Sequence, residues 1–160
     1  MDLRVLTVQQ PWAWAILHGG KTIENRSQLW SYRGPLAIHA AGTWSPSGAN
    51  DERVAAALGQ PVWRLAAYRD RPAFVFGAVL GVVELVDVHW ATGGPCQPCC
   101  PPWGEGLHNG GHGAKSATHL VLADPKPFDE PIPWKGRLGL WRPDSVLAGE
   151  IARQLAGGAW

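Results

Sequence analysis

Lys21, Glu24 and Arg26 fall within six residues of one another. A carboxylate set between two cations can form a partly buried ion-paired site in which Glu24 orients the positive groups toward a phosphate or a polar base edge. The same residues could instead decorate a solvated edge strand, where such pairs contribute little. Lys21 has a second chemistry open to it, as a general base or nucleophile, if burial beside Arg26 made it give up its proton. Upstream, Gln10 can hydrogen-bond a base edge and the indole of Trp12 can stack on an unpaired base. His39 can donate to a carbonyl or phosphate, or sit in the core with its nitrogens satisfied. A separate constellation lies downstream: Cys96, Cys99, His108 and His112 offer four soft or borderline donors, a set suited to structural zinc, with Cys100 or His119 able to replace one of them.

These residues need elements to position them. β-branched residues over Arg4 to Gln9 predict a strand, and Pro11 opens a short apolar helix over Trp12 to Leu17 that Gly19-Gly20 stops. Chain from Lys21 to Arg26 returns to extended form. In a regular strand Thr22, Glu24 and Arg26 share a face and Lys21 points away, unless the glycine turn rotates it. Gly34 to Ala41 reads as a strand, with Leu36 and Ile38 on one face and Ala37 and His39 on the other. Asn50 to Leu58 reads as a helix capped by Asn50 or Asp51. Gly77 to His89 is the strongest strand pattern, central to a sheet or barrel. Glu84 interrupts it, and an ion pair with an arginine is the expected remedy.

Residues 91–114 read as a loop dense in Gly, Pro, Cys and His, whose length demands a function or a metal. Two short strands, His119 to Leu122 and Leu138 to Trp141, flank a Pro-rich turn over Asp124 to Trp134. A helix over 145–156 ends the chain. Among the ten tryptophans, apolar neighbours assign Trp14, Trp90 and Trp141 to the core, while Trp30 and Tyr32 fit a rim or a lid. The expectation is one domain over residues 1–160, of α+β class: a small, mostly antiparallel or mixed β-barrel with flanking helices.

Composition bounds the function. With 46% apolar and 17% charged residues over 160 positions, the chain buries a core of its own. No apolar run approaches the ~20 residues that span a bilayer, and the start of the sequence lacks a secretory pattern, so a cytoplasmic, intracellular protein is expected. Three cysteines packed into residues 96–100 agree with a reducing compartment. A net charge of +1 gives no global case for nucleic-acid binding. Residues 1–72 carry eight Lys/Arg against five Asp/Glu, however, a tilt that suits an anionic ligand near the first half.

The order Leu6-Thr-Val-Gln-Gln10-Pro-Trp12, a helix, then Gly19-x-Lys21-x-x-Glu24-x-Arg26 and Tyr32-Arg33-Gly34-Pro-Leu-Ala-Ile-His39 resembles the ASCH family of the PUA-like superfamily, whose hallmark is a Gly-x-Lys-x-x-Glu-x-Arg motif. Gly77 to Val88 looks like the family's central strand, and Pro131 to Trp141 like its closing segment. The resemblance implies a β-barrel with a cleft beside the motif that holds RNA or a nucleotide-like ligand, lined by Gln10, Trp12, Lys21, Glu24, Arg26 and His39. It implies no required cofactor. One bacterial branch looks like an amidohydrolase of N4-acetylcytidine that uses a lysine at the place of Lys21, but carries a threonine where this chain has Glu24. Three readings follow: a binding module, a hydrolase of a nucleoside amide or of RNA in which Lys21 is catalytic, and a protein-interaction adaptor.

Overall fold

The computed structural model describes residues 2–61, 73–94, 97–108 and 115–157. Strand β1 (Arg4–Gln10) leads into helix α1 (Trp12–His18). The Gln10 side chain caps that helix, its amide oxygen accepting the Trp14 N–H at 3.0 Å. Gly20 then takes a φ of +71°, a left-handed turn natural to glycine. This turn settles the orientation of Lys21: it stands ahead of β2 (Ile23–Arg26), outside the strand's alternation, and its side chain meets Glu24.

After β2 come β3 (Gly34–Trp44), a 3-10 turn over Gly48–Asn50, helix α2 (Glu52–Ala57) and β4 (Ala78–Trp90). Asp51 caps α2 by accepting the Arg53 and Val54 N–H groups. Two small ribbons follow, β5 (Gly93–Gly94) with β6 (Gln97–Pro98) and β7 (Leu107–His108) with β8 (Lys115–Ser116). They occupy the segment read from sequence as irregular loop. The chain ends with β9 (Thr118–Pro133), β10 (Leu140–Trp141) and α3 (Ser145–Gly157).

Six strands form one mixed sheet in the order β10-β1-β3-β4-β9-β2, in which only β1 and β3 run parallel. The sheet curls into a half-barrel, an α+β fold as expected. Side-chain alternation sorts its two faces. Leu6, Val8, Leu36, Ile38, Leu85 and Leu120 pack inside against Ile16 and Leu17 of α1. Val5, Ala37, Val79 and Val82 pack on the other face against Leu147 and Ile151 of α3, both fully buried. Truncating such a leucine to alanine typically costs about 2–5 kcal/mol.

Three expectations need correction. The Pro-rich segment is not a turn: β9 continues through Pro125, Pro127, Pro131 and Pro133. It can do so because β2 pairs with β9 over Thr118–Val121 alone, which leaves one side of the remainder as an edge, and on the other side Pro127 and Pro133 register with Gly81 and Ala78 of β4 along an irregular ladder. Trp90 is 44% exposed rather than core, since β4 runs two residues beyond Val88, its last buried residue. Glu84, half-buried, makes no ion pair with an arginine among the described residues. No helix among those residues is long and apolar enough to cross a membrane.

Candidate functional site

In sheet order, β1 and β2 lie near opposite ends, and the curl brings them to face each other. Arg26 on β2 spans the gap, its Nη2 donating to the Thr7 carbonyl of β1 at 2.7 Å. The floor of this seam is an ionic triad. Lys21 Nζ donates to the Ile23 carbonyl and to Glu24 Oε2, the latter at 3.0 Å. Arg26 Nε lies 3.0 Å from Glu24 Oε1, a contact between charges too poorly aligned to be a hydrogen bond. The Lys21 and Glu24 side chains are only 4% and 9% exposed. Burial alone would raise the pKa of Glu24, but the charges of Lys21 and then Arg26 outweigh it and hold the carboxyl below its ordinary value. Glu24 is therefore ionised, and Lys21 keeps one N–H free of these two acceptors.

Above the triad opens a cavity of about 580 Å³. Its walls are indoles. Lys21 Nζ lies 5.6 Å from the Trp12 ring centre and 5.9 Å from that of Trp103, within cation–π reach of both, and Trp30 lines a further side. Arg53 stacks on Trp103 at 4.2 Å while its guanidinium is held by Asp51. Arg137 lies 5.4 Å from the Trp141 ring at the exposed rim and has no carboxylate partner among the described residues. Four cations, Lys21, Arg26, Arg53 and Arg137, thus line the cavity against two carboxylates, Glu24 and Glu105. Such a site favours an anionic ligand with a flat apolar part.

A model of the ASCH domain matches residues 6–128, well over half of the 160 residues. The chain belongs to the ASCH domain family. Among solved structures, a tyrosine-to-phenylalanine variant of ZmASCH from Zymomonas mobilis superposes with a TM-score of 0.57 at 16% identity, over 96% of this chain and 98% of that one. ASCH from Zymomonas mobilis gives 0.52 at 15% identity over 97% and 94%, and its serine-to-alanine variant 0.56 at 16% over 95% of each. At these identities the likeness is one of fold. None of the curated proteins matches the sequence.

Within this ASCH fold the structure gathers Trp12, Lys21, Glu24 and Arg26 in the cleft and places two other expected residues elsewhere. Gln10 is fully buried, with Nε2 donating to the Val75 carbonyl at 2.8 Å and its oxygen capping α1. The neighbouring Gln9 lines the cavity instead. His39 borders an adjoining groove formed with Trp134 and Gly136, and its Nε2 contacts the Trp134 carbonyl at 2.8 Å. Burial draws the His39 pKa below its ordinary value, which that bond only partly opposes, and because a carbonyl can only accept, Nε2–H is the donor. Sequence reasoning missed Trp103, Arg53 and Arg137. Trp103 lay in a segment outside the family pattern, and the two arginines belong to elements far along the chain.

A second polar cluster lies at the other end of the β2–β9–β4 surface. Register sets His89 of β4 directly opposite His119 of β9, and Asn25 of β2 opposite His119. Cys99 and Cys100 meet the two imidazoles, so that one donor atom from each of the four residues lies within 4.8 Å of every other. Such a group is compatible with a structural metal. Contacts from Thr92 draw the Cys99 thiol down to about 6, while burial and then the neighbouring Cys99 push Cys100 up. Of the four ligands read from sequence spacing, Cys99 belongs to this cluster. Cys96 and His112 lie outside the described residues, and for His108 only the backbone is described, in β7.

Proposed function

We propose that the cleft binds single-stranded RNA by taking in one nucleotide, with phosphate at Arg137 and Arg26 and the base against the indoles of Trp12, Trp30 and Trp103. The ASCH family is generally RNA-binding, and the observation that carries the reading is the coincidence of unmatched cationic charge and three indole walls in one cavity. Single strands expose the base faces that such walls stack upon. Gln9 supplies an amide for a base edge from the wall opposite β2. Lys21 acts by holding Glu24 and offering its remaining N–H. A catalytic Lys21 would first have to leave both Ile23 and Glu24, so binding is favoured over turnover.

Fluorescence anisotropy of a labelled single-stranded RNA at low salt tests this. Arg137→Glu is expected to weaken binding roughly tenfold and to flatten the salt dependence by about one counterion, with the thermal midpoint unchanged. Failure of the unaltered protein to bind at low salt, or equal affinity in the variant, would overturn it. Hydrolysis of the RNA that disappears in Lys21→Ala would instead establish the enzyme reading.

A further inference from the structure

We infer that His89, Cys99, Cys100 and His119 form a closed, structural zinc site. The distances come first. Zinc bonds of about 2.3 Å to sulfur and 2.05 Å to nitrogen, at tetrahedral angles, place ligand sulfur and nitrogen about 3.5 Å apart. Cys99 Sγ lies 3.4 Å from His119 Nδ1 and 3.7 Å from His89 Nε2, and Cys100 Sγ lies 3.4 Å from His89 Nε2. Three of the six edges of a zinc tetrahedron are therefore already close to length, and all four donors lie within 4.8 Å of one another.

Outward-facing bonds fix which nitrogens face inward. His89 Nδ1 sits 2.8 Å from the Asp87 carboxylate, and His119 Nε2 lies 2.8 Å from the Glu105 carbonyl. With each outer nitrogen donating its proton to an oxygen, the inner nitrogen of each ring carries a lone pair directed at the sulfurs. Asp87–His89 is thus the carboxylate–histidine arrangement that orients metal ligands and raises their basicity.

Local backbone geometry serves the same end. Successive side chains of an extended chain point to opposite sides, yet Cys99 and Cys100 both turn inward, and Cys100 has a φ of 65°, a left-handed conformation costly for a side chain larger than glycine. Gly104 lets the loop close on the site, because a Cβ there would stand 2.3 Å from the Cys99 carbonyl and 2.7 Å from His119. Two thiols and two imidazoles suit zinc above the harder divalent ions, and four protein ligands leave no open position for catalysis.

The site also bears on the cleft. Between Cys100 and Glu105 the chain carries Trp103 into the cavity wall, and Asn25 grips this stretch, its Nδ2 donating to the Trp103 carbonyl at 2.9 Å and its Oδ1 accepting the Glu105 N–H at 3.0 Å. Metal on one side and the motif strand on the other hold that indole in place. This last step rests on the RNA-binding reading; the metal content does not, and the two fail separately.

Elemental analysis of the full chain, purified without chelator or affinity metal, is expected to give about one zinc per chain. Cobalt added to the chelator-stripped protein should give the intense visible bands of a tetrahedral thiolate site, a readout that needs no variant. Cys100→Ser should abolish retention of zinc through gel filtration. Asp87→Ala should lower zinc affinity by about tenfold to a hundredfold with all four ligands kept. Absence of zinc with octahedral cobalt spectra would overturn the site. So would rapid alkylation of Cys99 unaffected by zinc, the mark of a metal-free thiolate–imidazolium pair. Zinc lost in Cys96→Ser or His112→Ala but kept in Cys100→Ser would transfer it to the ligand set read from spacing.

Discussion

The ionic floor of the cleft and the thiol–imidazole cluster are both polar groups gathered within a mostly apolar fold, yet they are satisfied in opposite ways. Lys21 and Arg26 share the one carboxylate of Glu24 and use backbone carbonyls for further bonds, so the floor is held together by its own residues and keeps one excess positive charge. The cluster gathers four metal-ligating donor atoms within 4.8 Å of one another, with no carboxylate among them. One region is a finished piece of structure on which a ligand can rest. The other, on the inference above, is finished by a metal ion.

Breaking the floor has the largest expected effect. Lys21→Ala leaves Glu24 buried with a single, poorly aligned partner and should cost about 3–5 kcal/mol of stability, measured by urea unfolding. It should leave the zinc content intact, and loss of metal in this variant would show the two regions to be one unit. Stripping zinc comes next: with free metal at about a hundred times Kd, the bound ion contributes about 3 kcal/mol, so chelator should lower the thermal midpoint of the native protein and not that of Cys100→Ser.

Acid separates the regions further. Glu24 is held below its ordinary value of 4.5 in the folded state, so the stability it contributes is fully present above that pH and is lost as pH falls below it toward the lowered value. Glu24→Gln should remove that part of the acid dependence, seen as a shallower decline of the unfolding midpoint below pH 4.5. The smallest effect on stability belongs to the rim. Arg137 is exposed and unpaired with carboxylate among the described residues, and Arg137→Glu should alter stability by less than about 0.5 kcal/mol while weakening RNA binding.

Local patterns were legible where one element decided them. The strand at Arg4, the glycine turn, the charged motif and the helix over Ser145 to Gly157 follow from propensity and spacing, and the motif marked the cleft. Gln10 was misplaced because it shares the parity of Leu6 and Val8, whose face packs into the core, while Thr7 and Gln9 line the cavity. Most of the thiol–imidazole cluster was visible. Spacing within the loop named Cys99, with Cys100 and His119 as alternates, but His89 was missed because it meets His119 only through the β4–β9 register, which involves residues thirty positions apart. Trp103 and Arg137 reach the cleft by the same kind of long-range placement. The prolines of β9 misled because each reads as a turn locally, and an edge free of β2 with an irregular ladder to β4 accommodates them as strand.

The most direct test of the central claim is photocrosslinking of a single-stranded RNA carrying 4-thiouridine, followed by peptide mapping. The account predicts adducts on the peptides that hold Trp12, Trp30 and Trp103, lost when Arg137→Glu weakens binding. Adducts confined to peptides outside the cleft, or none at low salt, would contradict it.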